Sequence, residues 1–387
     1  MSSHGPLSLQ LVTLAVQVFL LAVPVHLYLA LRKKVGVFPA VAVAVAVGLL
    51  TLFSDMVAVD VKVLGWAERS PAFWRPLSAV WVAGAFCSYA LYWAWRIYRK
   101  YVPARSEAPE PARRFLLETG AKAALAAPFA AAGYGIYVGR DDVRVEEVDV
   151  AIADLPADLE GLTMTQITDL HSGPYLTPQK VSRIVAMANE TRPGLMLVTG
   201  DLISRVGDPL TACIDALGGL RADSGVWGCM GNHESYSMAE AYAEEYGARR
   251  GLRFLRQSSE ALRFGDARLN LCGVDYQRTT KPYLVGAENL MRTDAVNVLL
   301  SHNPDVFPLA AELGYDLTVA GHTHGGQVTV EILEQTLNPG RFFTPYVVGS
   351  YQIGGRSLYV SRGLGTVNLP MRIGAFPEIS VLKLRRA

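Results

Sequence analysis

The sequence predicts an N-terminal transmembrane helical segment followed by an α/β domain, and three observations carry that prediction. Hydrophobic residues make up 51% of the 387-residue chain, and the excess is concentrated in its first third. From Val143 onward, short apolar runs alternate with helix-like segments and Gly or Pro marks their ends, the pattern of strands and helices taking turns. Five of the seven histidines fall between residues 171 and 324, in ITDLHSG, GNHES, SHNPD and GHTHGG, with an acidic motif, TGDLIS, among them.

The apolar third reads as about three membrane helices within residues 1–102. Residues 9–31 carry no formal charge and exceed the roughly 20 residues that a spanning helix needs. Residues 37–59 contain AVAVAVAV, whose alternation suggests a strand; both alternating partners are apolar, so no polar face exists and length selects a helix. Leu77 to Tyr98 is the third, ending in Tyr92, Trp93, Trp95 and Tyr98, an aromatic belt suited to a membrane interface. Residues 103–142 hold a Pro- and Glu-rich linker at 103–112 and a candidate fourth membrane segment, Ala121 to Gly139, rich in Ala and Gly.

Orientation follows from positive charge, because Lys and Arg resist translocation. Arg32, Lys33 and Lys34 follow the first helix, and Arg96, Arg99, Lys100, Arg105, Arg113 and Arg114 lie between the third and the fourth, which makes both loops cytoplasmic. The stretch beginning at Arg113 and Arg114 also has the order of a twin-arginine export signal; the plainer reading is the end of a basic loop. If the fourth segment crosses, by either route, residues 140–387 are extracytoplasmic and the protein is a multi-pass protein of the cell membrane; if it does not cross, they are cytoplasmic.

Within residues 143–387 the expected strands are Leu162 to Thr168, Leu195 to Thr199, Val226 to Met230, Leu269 to Val274, Val296 to Ser301 and Leu317 to Ala320. A helix is expected over Met238 to Arg250. All but one of the strands end at a motif, and in α/β sheets ligands bind where strands deliver their carboxyl ends into a shared crevice. Asp169 and His171, two apart, can reach one ion from one strand end. Asp201, Asn232, His302, His322 and His324 supply further oxygen and imidazole ligands, the donor set of a two-metal centre. A domain of this size buries a sizeable core without metal, so the ions are catalytic rather than structural.

Other classes recede. A net charge of +1 and the lack of a dense basic stripe exclude a nucleic-acid surface as the working part. Cys87, Cys213, Cys229 and Cys272 form no C-x-x-C pair and are expected as buried free thiols. No repeat of solenoid or propeller length is visible.

The ordered set Asp169-Leu-His171, Gly200-Asp201, Gly231-Asn232-His233-Glu234, His302 and Gly321-His322-Thr323-His324 resembles the calcineurin-like metallophosphoesterase superfamily. The GHTHGGQ ending and the SRGLG segment at Ser361 to Gly365 are similar to its membrane-associated bacterial branch, which includes phosphodiesterases like the UDP-2,3-diacylglucosamine hydrolases. The resemblance implies a four-layer α/β/β/α sandwich over residues 143–387. It implies one metal held by Asp169, His171, Asp201 and His324 and a second by Asp201, Asn232, His302 and His322, with Asp201 bridging. His233 is left to face the substrate as general acid or charge stabiliser. The implied reaction is in-line attack of hydroxide on the phosphorus of a phosphodiester or phosphomonoester, with the diester favoured.

Ser204 occupies the position where purple acid phosphatases carry a metal-binding tyrosine, which argues against a ferric-tyrosinate centre. Mn²⁺, Fe²⁺, Zn²⁺ or Co²⁺ suit the remaining donors, with Mn²⁺ preferred. Ser172, Glu234 and Thr323 are candidates for orienting the ligands, and Arg362 and Arg372 for contacting phosphate, although isolated arginines are more often structural. Leu333 to Val348 reads as a partly apolar loop, expected to pack within the domain rather than face the membrane or rim the site. Short connections around the motifs leave little for a large lid, which suits extended esters, lipid headgroups included, with membrane lipids as neighbours. The rival reading is a non-hydrolytic metal-binding membrane sensor or scaffold; its mark, loss of Asp201, Asn232 or His233, is missing.

Overall fold

The computed structural model describes residues 7–58, 74–102, 111–277, 283–332, 335–367 and 369–387. Most of the linker at 103–112 and the first two residues of the loop 333–348 lie outside them. The chain divides into two compact units, Met1–Val138 with Asn368–Pro370, and Gly139–Val367 with Met371–Ala387.

The first unit contains the helices Leu7–Val35, Val37–Ala58, Trp74–Tyr101 and Pro111–Tyr134, the last running into a π-helical turn, Gly135–Gly139. The AVAVAVAV run is helical, and its burial follows the helix period: Ala40 and Ala44 are buried while Val41, Val43 and Val45 are exposed. Residues four apart share a face, so the small side chains meet neighbouring helices and the valines point outward. Further along that helix, Thr51 is buried and accepts a hydrogen bond from Trp81 Nε1 at 3.2 Å. Ser78, Ala79, Val82 and Ala85 are buried on Trp74–Tyr101, whereas Trp93, Trp95, Tyr98 and Tyr101 at its far end are exposed. Small residues thus lie inside and large apolar ones outside in this unit.

Among the described residues one helix, Pro76–Tyr101, is long and apolar enough to cross a membrane, and Val37–Leu52 is apolar but shorter. Residues 121–139 are helical but do not reach that combination of length and apolarity. Cys87 departs from expectation: it is exposed on its helix, while Cys213, Cys229 and Cys272 are buried free thiols.

The second unit is built on two six-stranded sheets. In spatial order the first comprises Arg144–Ile152, Glu378–Arg386, Thr163–Ile167, Leu195–Thr199, Val226–Cys229 and Leu252–Phe254. The second comprises Gly349–Ile353, Arg356–Val360, Leu317–Ala320, Val296–Leu300, Ala267–Gly273 and Ser258–Phe264. Thr163–Ile167, Leu195–Thr199 and Val226–Cys229 run parallel, as do Ala267–Gly273, Val296–Leu300 and Leu317–Ala320.

Period-two alternation sorts the side chains into layers. Leu195 and Leu197 join Leu269, Leu271, Val298 and Leu300 in a core shared by both sheets. Met196 and Val198 point the other way, toward Val181, Ile184 and Val185 of the helix Pro178–Glu190 and Ile214 of Leu210–Leu217. On the far side of the second sheet, Cys272 and Leu299 pack with Ala310 of Phe307–Leu313 and with Tyr315. The order is therefore helices, sheet, sheet, helix.

All six expected strands are present within a residue or two of their ends, and the expected helix at 238–250 is Glu240–Arg249. Strands that were not expected lie mainly at the sheet margins. Arg144–Ile152 pairs in parallel with Glu378–Arg386, so the two ends of the unit meet. Arg144–Ile152 is charged and largely exposed in its first half and alternates only from Val148 to Ile152, and its partner is more than two hundred residues away. The expected loop at 333–348 is also partly strand: Gln335–Leu337 pairs antiparallel with Val330–Ile332. Its packing is mixed, since Asn338 and Val347 are buried but Phe342 and Phe343 are exposed.

Candidate metal centre

Each donor residue follows a strand end. Asp169 and His171 follow Thr163–Ile167, Asp201 follows Leu195–Thr199, and Asn232 and His233 follow Val226–Cys229 in the first sheet. His302 follows Val296–Leu300, and His322 and His324 follow Leu317–Ala320 in the second. The chain must turn sharply here, and Asp169, His171, Asp201, His322 and His324 all have positive φ, between 46° and 75°. Left-handed backbone in non-glycine residues costs of order 1 kcal/mol or more each and persists where the surroundings enforce it.

Two glycines of the motifs have a steric reason. A Cβ on Gly231 would stand 2.1 Å from Asp201 Oδ1, and one on Gly321 would stand 2.3 Å from Asp169 Oδ2. Both aspartates are seated directly against the backbone of the next motif.

The donor atoms converge. His324 Nε2 lies 3.3 Å from Asp169 Oδ1 and 3.1 Å from His171 Nε2. Asp201 Oδ2 lies 3.5 Å from His171 Nε2, 3.1 Å from His302 Nε2 and 4.0 Å from His233 Nε2. The rings of His302 and His322 are 5.0 Å apart. Two clusters have metal-ligand spacing, Asp169 with His171 and His324, and Asp201 with His302 and His322; a third joins His171, Asp201 and His233.

Hydrogen bonds aim the rings. His302 Nδ1 is 2.7 Å from the Thr199 carbonyl, and His233 Nδ1 is 2.5 Å from the Ser204 carbonyl. A carbonyl only accepts, so in both rings Nδ1 carries the hydrogen and Nε2 is turned toward the centre. Ser204 Oγ is 3.0 Å from His171 Nδ1. Glu234 does not face the centre: it is buried and accepts the N–H groups of Asp201, Leu202 and Gly231 at 2.8 Å each. It thereby locks the Asp201 turn to the Asn232 turn.

Among the described residues, buried His302 Nε2 and Asn232 Oδ1 have no hydrogen-bond partner; for the former, Asp201 Oδ2 is near but badly directed. Orphaned buried polar atoms are rare and costly, and these two are donors of the kind a divalent cation takes. The residues therefore fit a metal.

The electrostatics agree. Burial pushes His171 down to about 3 and His322 to about 4, and holds His324 well below its ordinary value, so these imidazoles are neutral with lone pairs available. Burial raises Asp169 to about 6, the Asp201 charge adding to it against the pull of His302. Burial would also raise Asp201, but the charges of His302, His233 and His171 outweigh it and keep that carboxylate ionised. His302 shows the opposite balance: burial lowers it, but Asp201 and Asp169 prevail and lift it to about 10.

Arg362 and Arg372 are held by partners within the protein. Arg362 pairs with Glu378 at 2.5 Å. Fully buried Arg372 donates to the carbonyls of Ala375 and Arg362 at 3.0 and 2.9 Å, and its Nη2 is 3.4 Å from His324 Nδ1. Thr323 Oγ1 donates to the Val347 carbonyl, and Ser172 is buried. Two contacts were not anticipated. Ser204 touches two of the histidines, and Tyr276 stands with its ring 5.8 Å from that of His322 and 6.3 Å from those of His302 and Tyr236.

A two-sheet α/β domain that brings histidines and aspartates from both sheets to one set of strand ends is a metallophosphoesterase fold. Residues 162–326 match the model of the calcineurin-like phosphoesterase family. The chain is similar to the uncharacterized metallophosphoesterase YkuE of Bacillus subtilis, 28% identical over 65% of this chain and 89% of that protein. It is 29% identical to a transmembrane protein with metallophosphoesterase domain of Danio rerio, over 66% of this chain and 60% of that protein. Phosphodiesterase YaeI of Escherichia coli is 26% identical over 70% of this chain and 98% of its own length.

Proposed function

We propose that this protein is a membrane-anchored phosphoester hydrolase with a two-metal centre, acting on phosphodiesters in preference to monoesters. The observation that carries it is Asp201 Oδ2, within 3.5 Å of His171 Nε2 from one donor cluster and of His302 Nε2 from the other. A carboxylate oxygen shared by two donor groups is what a bridging ligand requires. Asp169, His171, Asp201 and His324 would hold one ion, and Asp201, Asn232, His302 and His322 the other. Bound there, two divalent ions, Mn²⁺ preferred, would supply Lewis acidity and an activated water.

The chain's own groups do the rest. His233, held through Nδ1 by the Ser204 carbonyl, directs Nε2 at the centre, where a protonated ring can donate to the leaving oxygen. Tyr276 and Tyr236 form an aromatic flank on which the organic part of an ester can rest. The diester preference draws on the name of YaeI, and membrane attachment on the Danio rerio relative and the helix Pro76–Tyr101. Arg96, Arg99 and Lys100 mark that helix end as cytoplasmic. The uncharged run Ala123 to Gly139, near the lower limit of about 17 residues for a span, returns the chain outward, so we place the metal centre on the extracytoplasmic side.

The test is hydrolysis of bis(4-nitrophenyl) phosphate and 4-nitrophenyl phosphate by the detergent-purified full chain loaded with Mn²⁺. Asp201→Asn is expected to lose metal and roughly 10³-fold in rate. His233→Ala is expected to keep its metal and lose about 10²–10⁴-fold in kcat. Folded, metal-loaded protein that cleaves neither ester overturns the reading. A reporter fused to the C-terminus checks the side: activity only of an extracytoplasmic reporter is expected.

A further inference from the structure

The stretch from Asn338 to Val347 is tied at both ends to the turn that carries His322 and His324. At its start, buried Asn338 donates from Nδ2 to the Gly325 carbonyl at 2.9 Å. At its end, the Val347 carbonyl accepts from Thr323 Oγ1. Midway, Thr344 bonds to Asp305, three residues past His302. This anchored loop nevertheless displays apolar rings: Phe342 is 89% exposed, Phe343 66%, and Leu337, just before Asn338, 58%. Burying each ring would be favourable, yet the anchors hold both in the open.

Adjoining exposed apolar residues on a soluble surface mark a contact site. Arg341, exposed and directly before the two phenylalanines, adds a cation. A basic residue beside aromatic rings on a protruding turn suits a surface where anionic groups overlie hydrocarbon, which is the lipid bilayer interface. The same chain holds a helix with the length and composition to cross a bilayer.

We infer that Leu337 and Arg341–Phe343 form a bilayer-contact loop: the two rings enter the headgroup–acyl boundary of an anionic membrane while Arg341 pairs with lipid phosphate. Because the loop is bonded to the Thr323–Gly326 turn, this contact sets the candidate metal centre at the level of the headgroups. The contact does not depend on hydrolysis.

The experiment uses the full chain reconstituted into vesicles of phosphatidylcholine and phosphatidylglycerol. Cys87→Ala removes the exposed thiol, and Phe342→Cys carries an environment-sensitive fluorophore. The label is expected to shift to the blue and be quenched by brominated acyl chains, while the same label at Asp266→Cys, on an exposed turn of the same unit, is not. A Phe342 label with water-like emission, quenched no more than the control or shifted only on adding a soluble protein, overturns the inference. A second measurement needs no label. The double variant Phe342→Ser, Phe343→Ser, with the loop anchors untouched, is expected to lower the ratio of vesicle-borne to soluble diester hydrolysis by about tenfold. An unchanged ratio counts against the loop. If the label is quenched but wild-type protein hydrolyses neither substrate, the contact stands and the proposed function fails.

Discussion

The two units of this chain bury opposite kinds of residue. In the α/β unit, Asp169, Asp201, Glu234, His302 and Arg372 are all at most 1% exposed, charged or polar groups sunk at the strand ends above an apolar core. In the helical unit, Ala40, Ala44, Thr51, Ser78 and Ala85 are inside, while Val45, Leu49 and Trp95 are 53%, 63% and 56% exposed. The difference teaches that apolar content alone does not say where the core is. Water drives large apolar groups inward, whereas hydrocarbon leaves them indifferent and packing selects small side chains at the contacts.

The sharpest way to break the comparison is to change one large apolar residue in each unit. Leu271→Ala, in the core between the sheets, is expected to cost about 2–5 kcal/mol in denaturant unfolding. Val45→Asp should be neutral if that valine faces water, but is expected to reduce membrane-fraction yield, at a cost of about 2.5–3.5 kcal/mol, if it faces lipid. Unchanged membrane yield would remove the contrast between the units.

Smaller effects probe the buried polar cluster. Ser204→Ala removes the hydroxyl beside His171 Nδ1 and is expected to weaken metal binding about 10–100-fold with the fold intact, as read by calorimetric titration with Mn²⁺. Acidity should act in one direction. Metal competes with protons on its ligands, His302 holds its proton to about 10 and Asp169 to about 6 without metal, so affinity rises with pH and is lost as pH falls. Titrations in buffers of different ionisation enthalpy should show about one proton released per centre near pH 8 and about two near pH 5. Release that does not change with pH would mean that these two groups are not displaced by the metal.

Much of the centre was legible because its chemistry is local in the chain. Asp169 and His171, or Asn232 and His233, sit beside strands whose apolar runs announce themselves, and parallel strands must deliver such residues to a common edge. The contacts that aim the rings were not legible. The Thr199 and Ser204 carbonyls belong to no residue type, and Arg372, a candidate phosphate contact for which a structural role is the commoner reading, reaches His324 across 48 positions of sequence. The strands at the two ends of the unit were missed for a related reason. Arg144–Ile152 is specified by its pairing with Glu378–Arg386 more than by its own apolar pattern.

The sequence by itself determined the candidate donor residues, the strands that end at them and the apolar character of the first third, since these follow from residue type and spacing within a few positions. Tertiary structure alone decided that Asp201 lies between the two histidine clusters, that Glu234 serves the backbone instead of the centre, and that Phe342 and Phe343 are held outward while Asn338 is buried. These outcomes depend on which distant segments meet. Close packing and hydrogen-bond direction settle that only once both sheets are assembled.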